Sequence, residues 1–568
     1  MNDIRRTILW VIFGFSMVLL WDKWQVHNGH KATFFPSPAA VTASAPEGTA
    51  TASAPAAHAS TPAAAPAGTA QVPGGEAAAP VARERVTVTS DVLRLEFDGQ
   101  GGSLVHGELL KYPAMEDKAK PFVLFDDSAS RVYQAQTGLI GGAFPTHKTN
   151  MALVPGPREL KDGEDTLQVR FESPDLGGVK LAKTWTLKRG AYDIAVKHEV
   201  VNTGTAAVSP QLYLQLVRDG NKPAGESSFY STFTGPAVYT EAKKYQKVEF
   251  KDIKAKKFDI PSESTNGYIA MVQHYFASAW LLPDGVSRQL NMEATDIGAS
   301  TPDCCYRVQM ITPVGEIAPG QAKAVDARLF AGPQVEKTLE SLTPGLELVK
   351  DYGMFTILSK PLYWLLDKIH GVLGNWGWSI IGLVLLLKIA FYWLNAKAYA
   401  SMAKMKAINP KIMEMRERLK DKPQQMQQEM MRIYREEKVN PMGGCFPIMI
   451  QIPVFIALYW VLLSSVEIRN APWLGWIHDL SAPDPFFILP LLMTASSLLQ
   501  TALNPAPPDP MQAKMMWIMP LMFSVMFFFF PAGLVLYWLT NNILSIAQQW
   551  IINKRMGVPP QFNLPKFR

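Results

Sequence analysis

The chain has little cysteine: three residues in 568, at Cys304, Cys305 and Cys445. An odd count with one adjacent pair builds no disulfide framework, and no C-x-x-C or Cys/His cluster offers a metal site. Most enzyme signatures are missing too. There is no G-x-S-x-G, no H-E-x-x-H and no P-loop, which removes the common routes to esterase, zinc-protease and nucleotide chemistry. One S-x-x-K, Ser401-Met402-Ala403-Lys404, stands without the companion motifs of a β-lactamase-type site. Charge of one sign is scarce as well. A net charge of +6 with 18% charged residues makes no case for nucleic acid. No catalytic residue, metal or cofactor is expected.

What the chain does have is two different materials in series. Residues 81–345 read as soluble protein, and residues beyond about 352 are dominated by long apolar runs. Ahead of both, Arg5 and Arg6 precede an apolar run from Ile8 to Trp21. The following W-D-K-W-Q-V-H-N has no small-x-small cleavage site, so residues 1–24 read as an uncleaved signal anchor. Residues 25–80 are mostly Ala, Pro, Thr, Ser and Gly, too poor in apolar side chains to offset ordering entropy, and read as a disordered tether.

Five further runs approach the roughly 20 residues a bilayer core requires: about 373–394, 446–466, 486–502, 515–530 and 534–552. With the anchor they make six spans, which brings both chain ends to one side. The loop from Asn395 to Gly444 carries eleven basic residues, among them Lys397, Lys404, Lys406, Lys411 and Arg416; the loop from Glu467 to Pro485 has only Arg469. By the positive-inside tendency the N-terminus, the first of these loops and the basic tail 553–568 are cytoplasmic. Residues 81–345 are then outside, and in a Gram-negative cell that is the periplasm.

That outer region alternates apolar and polar residues over many short runs. From Tyr192 to Val200 the even-numbered side is mostly apolar; Leu212, Leu214 and Leu216 repeat the pattern, as do Leu93, Leu95 and Phe97. Period two, broken by turns such as Asp98-Gly99-Gln100-Gly101-Gly102, predicts half-buried antiparallel strands in a large β-sandwich. His274 is expected as a packed strand residue. Residues 346–372 are amphipathic and aromatic, divided at Pro361, and read as an interfacial helix on the outer membrane surface.

In the cytoplasmic loop, Met402, Met405, Ile412, Met415 and Leu419 fall at helical spacing before Lys420-Asp421-Lys422-Pro423, and Met426, Met430, Ile433 and Tyr434 do so after it. Residues 396–440 therefore form an antiparallel helical hairpin. Its methionines are either the seam between the helices or a plastic surface that captures apolar partners.

Within the spans the polar content is unusual. Lys388 lies about six residues, roughly 9 Å of rise, from the inner end of its segment. Snorkelling to the headgroups is one reading. The other is a cavity-facing cation, since such a charge in lipid costs a few kcal/mol or more and no acidic residue lies deep in the spans. Gln451, Ser464, Ser465, Thr494, Gln500, Asn541 and Gln548 are further polar residues that serve as interhelical glue or line a wet cytoplasmic half. Pro453, Pro490 and Pro520 are expected to kink three of the five helices. Two other classes compete. A solute transporter predicts repeat halves with paired broken helices, which the sequence does not display. A periplasmic binding module on a passive anchor leaves five spans and the hairpin without purpose.

Several stretches resemble the YidC/Oxa/Alb family of membrane protein insertases in its Gram-negative form: Ser401 to Met405 (S-M-A-K-M), Lys438 to Pro447 (K-V-N-P-M-G-G-C-F-P), Trp476 to Pro485 (W-I-H-D-L-S-A-P-D-P), Phe530 to Trp538 (F-P-A-G-L-V-L-Y-W) and Thr184 to Tyr192 (T-W-T-L-K-R-G-A-Y). The resemblance covers nearly the whole chain. It implies an inner-membrane protein with a five-helix core, 373–552, around a hydrophilic groove open to cytoplasm and lipid. It also implies nascent membrane proteins as partners, inserted either alone or beside the Sec translocon, with the ribosome a further partner; the core as read needs no second copy. The family's groove cation is usually arginine, and Lys388 stands at that position, keeping the charge but losing the bidentate fork. Tyr537 and Trp538 match the aromatic pair placed against the substrate helix, and Gln451, Asn541 and Ser464 join them as candidate contacts.

Overall fold

The structure, a computed structural model, describes residues 84–223, 232–295, 304–420, 422–437, 446–504, 510–557 and 562. The expected anchor and tether, and most of the basic tail, lie outside the described residues.

Alternation in the outer region produces two nine-stranded antiparallel sheets around a shared core. One runs in the order β1 (Arg85–Thr89), β2 (Leu93–Asp98), β3 (Ser103–Pro113), β4 (Pro121–Ser128), β5 (Arg131–Ile140), β10 (Gln211–Arg218), β17 (Tyr306–Pro313), β16 (Arg288–Ala294), β13 (Glu263–Ser264). The other runs β12 (Lys244–Lys247), β11 (Gly235–Thr240), β14 (Tyr268–Val272), β15 (Phe276–Leu281), β18 (Ala322–Pro333), β9 (Asp193–Asn202), β8 (Val179–Lys188), β7 (Thr166–Glu172), β6 (Ala152–Leu153). In β9 the expected face is the buried one: Ile194, Val196, His198 and Val200 point inward. β10 departs from the half-buried expectation, because Tyr213, Gln215 and Val217 are buried as well as its leucines. The segment after β5 covers the second face there. The Tyr213 hydroxyl accepts a hydrogen bond from the His147 backbone N–H at 2.9 Å, and a side chain on Gly138 would collide with that hydroxyl. Cys304 and Cys305 bring their sulfurs into contact just before β17.

The sandwich core holds a polar seam. Lys183 of β8 is fully buried and donates to the carbonyls of Gly101 (2.5 Å) and Thr137 (2.7 Å). The Thr137 hydroxyl in turn lies 3.0 Å from His198 Nε2. Burial pulls the Lys183 amine down to about 7, and burial with the nearby lysine holds His198 at about 3.

Two short helices, α1 (Phe250–Lys254) and α2 (Glu336–Leu342), belong to the sandwich. The helical region follows: α3 (Thr356–Leu373), α4 (Trp376–Ala390), α5 (Tyr392–Arg418), α6 (Pro423–Glu436), α7 (Phe446–Ser464), α8 (Ile488–Leu503), α9 (Pro510–Phe527) and α10 (Ala532–Arg555). α3 runs through Pro361 without a break, so the expected division there does not occur. Pro490 is the third residue of α8, where a missing N–H costs no internal bond. Of the three expected kink prolines, only Pro453 and Pro520 sit inside their helices.

Among the described residues no single helix is long and apolar enough to cross a membrane, although α4 and α5, bent by 69° at Phe391, pass together. Two causes are visible. The 15 residues of α4 and 16 of α8 rise only about 22–24 Å against a ~30 Å hydrocarbon core. α10 has 24 residues but dilutes its apolar content with Thr540, Asn541, Asn542, Ser545, Gln548 and Gln549.

Candidate functional site

Lys388 occupies the last turn of α4, where the carbonyl end of the helix favours a cation. Asn375 starts that helix, its side-chain oxygen accepting from the Trp378 N–H at 3.1 Å. The ammonium turns toward α10, donating to Ser545 Oγ at 2.7 Å. Among the described residues that hydroxyl is its one hydrogen-bond partner, and no carboxylate pairs with it. Lys388 borders a small cavity of about 30 Å³, shared with Gln451 of α7 and Tyr537 and Asn541 of α10. Gln451 Nε2 donates to Asn541 Oδ1 at 3.1 Å across the same space. Of the six expected bundle residues, three therefore meet around the fourth, the Lys388 cation.

Asn541 also lines a second cavity of about 1000 Å³. Its walls are chemically divided. Ser497 and Gln500 of α8 with Asn541 and Asn542 of α10 offer polar groups; Met515 and Met519 of α9 offer thioethers. Trp538 stands in this second space, one residue and about 100° of helix turn from Tyr537. It stacks on Phe455 at 4.7 Å and meets Phe527 edge-on at 4.2 Å. The aromatic pair thus serves two adjoining spaces.

Ser464 stays apart. It lies thirteen residues from Gln451, about 20 Å along α7, and donates to the Asp351 carbonyl at 2.6 Å. That end of the helical region is bound to the sandwich. His274, in the turn from β14 to β15, hydrogen-bonds through Nε2 to the Leu463 carbonyl at 2.8 Å, and burial keeps its imidazole neutral, at about 4. The Lys350 side chain, wholly buried, pairs with Glu467 at 3.2 Å and lies 3.9 Å above the Tyr363 ring. Desolvation lowers the Lys350 pKa against the pull of Glu467. Arg469 reaches the Pro113 carbonyl at 2.5 Å.

The hairpin forms between α5 and α6. Ile408, Ile412 and Met415 are buried, with Met405, Met426 and Met430 packed on them. Those methionines are the seam. Met402 is half-buried and outside that cluster. The methionines that face outward are Met413 and Met431, 51% and 48% exposed, which helical spacing had left unassigned.

Sequence reasoning also missed Ser545 and the α9 methionines. A serine seven residues beyond Trp538, two helical turns along the same face, was the available signal for the first. Met515, Met516, Met519 and Met526 share α9, but with a partner helix unknown their spacing does not distinguish cavity from lipid.

The model described as the YidC periplasmic domain matches residues 85–365, and the model described as 60Kd inner membrane protein matches residues 368–558. The membrane protein insertase YidC of Cupriavidus necator is 56% identical over 98% of this chain and 98% of its own length. That of Bordetella pertussis is 52% identical with the same coverage. A crystal structure of an active YidC insertase with its first transmembrane domain resolved aligns with 82% of this chain and 91% of its own, at 18% identity and a TM-score of 0.37.

Proposed function

This chain belongs to the YidC family of membrane protein insertases, and from that premise we propose that its C-terminal helices insert client segments along a groove whose cation is Lys388. The reading rests on one observation above all: the Lys388 ammonium is turned into the bundle onto Ser545, with no carboxylate paired to it among the described residues.

In this reading residues 373–552 are a five-span core, with both termini cytoplasmic and the sandwich in the periplasm. The apolar helices α4, α7, α8 and α9 belong to its spans, and the polar face of α10 turns inward. A client segment of about 20 apolar residues is strongly favoured in lipid, so the barrier lies in moving its polar flank. Each unsatisfied group or charge in that flank costs several kcal/mol in hydrocarbon. The space between Lys388 and Asn541 supplies polar partners part-way across, and the ammonium offers a transient counter-charge to acidic flank residues. Trp538 and the α9 methionines then meet the apolar segment, the thioethers adapting to varied sequences. No covalent or nucleotide-driven step is required. The hairpin receives the client first, through Met413 and Met431 rather than through its seam. Sec translocon and ribosome are the proposed partners of delivery, and one copy of the core suffices.

Site-specific crosslinking tests this directly. A photoreactive residue at Gln451, Tyr537 or Trp538 should capture a stalled nascent membrane protein at its apolar segment. Absence of capture at all three positions, with capture at lipid-facing controls such as Leu491, rejects the groove.

A further inference from the structure

We propose that Ser545 is the positioning residue for the Lys388 cation, a role that rests on the groove reading above. A lysine in the last turn of α4 has reach enough to snorkel toward the headgroups, so something must hold it inward. Ser545 does so with a hydroxyl that donates and accepts at once. A serine hydroxyl has one donor and two acceptor sites. Its proton goes to the Asn541 carbonyl at 2.7 Å. One acceptor site takes Lys388 Nζ at 2.7 Å, and Tyr399 on α5 lies beside the same hydroxyl. Because α10 carries Ser545 one turn below Asn541, the ammonium is fixed beside the cavity that Gln451, Tyr537 and Asn541 also line. Two ammonium hydrogens remain without an acceptor among the described residues. They are the donors an acidic client flank finds, and Tyr399 joins this node to the helix that leads into the hairpin.

The test compares insertion of a single-span client with an acidic translocated flank against the same client with a neutral flank, in cells whose only insertase of this family is the full chain. Lys388→Ala, Ser545→Ala, Ser545→Thr and the Lys388→Ala/Ser545→Ala double variant are compared at matched membrane levels. Ser545→Ala should lower acidic-flank insertion roughly three- to tenfold relative to the neutral flank, the range for loss of one hydrogen bond. Ser545→Thr should restore it, and the double variant should be no worse than Lys388→Ala. Equal loss on both flanks, or a further loss in the Lys388→Ala background, overturns the positioning role. If Ser545→Ala is silent while Lys388→Ala is not, positioning fails and the groove cation stands. A silent Lys388→Ala rejects both.

Discussion

At the scale of single residues, the account turns on where one amine points. Lys388 is held by a hydroxyl, not a carboxylate, so its charge stays available and replacement by another cation should be mild. Lys388→Arg is expected to retain insertion of acidic-flank clients within about twofold, because the guanidinium keeps the charge; pulse-labelling with protease protection of the flank reads this. The cation itself was visible in the sequence as a lone charge inside an apolar run. Its direction was not. Both headgroups and cavity were in reach of the side chain, and only the placement of Ser545, 157 residues away, decides between them. Ser464 illustrates the reverse: a polar residue in an apolar run that looks like a groove contact, yet bonds to the Asp351 carbonyl at the opposite end.

Elements carry the next set of consequences. The hairpin was legible because both its helices repeat apolar residues every three or four positions. Which methionines face the partner helix, and which face away, requires knowing both helices at once. Met415 is 4% exposed, and an unpaired carboxylate there costs roughly 2 kcal/mol or more. Met415→Asp should therefore speed trypsin cleavage within α5 and α6 several-fold, while Met413→Asp should leave it within about twofold. If client capture uses the outer surface, Met413→Asp should instead reduce crosslinking of a nascent segment to the hairpin. The bend at Phe391 was not readable in this way: an apolar run from Leu373 to Leu394 looks continuous, and the 69° turn there separates α4 from α5.

For the whole molecule, the sandwich and the helices share a buried polar joint. Glu467→Leu leaves the Lys350 ammonium buried without its counter-charge, at a cost of about 3–5 kcal/mol; the thermal midpoint of the full chain in detergent should drop accordingly. The sandwich also carries its own pH dependence. Lys183 releases its proton near 7 when folded and near 10.5 when unfolded. Between those values the unfolded chain binds the extra proton, so stability should rise with pH from about 7, by up to about 1.4 kcal/mol per unit. His198, held at about 3, adds a rise between about 3 and 6.5 by the same linkage. Denaturant midpoints across pH 6 to 9.5 check the lysine, and Lys183→Met should flatten the slope above 7. Strand faces such as Ile194, Val196 and Val200 were plain from alternation. Sheet order was not, because β10 pairs with β17 through Gln211 and Pro313, and no local pattern encodes a partner a hundred residues away.

The central claim is that the charge at Lys388 acts on the charge of the client's flank. Insertion of one single-span client, carrying either an acidic or a basic translocated flank, should be measured with Lys388 and with Lys388→Glu at equal membrane abundance. The account predicts a loss on the order of tenfold for the acidic flank, equivalent to about 1.4 kcal/mol, and no comparable loss for the basic one. An equal loss for both flanks would contradict it.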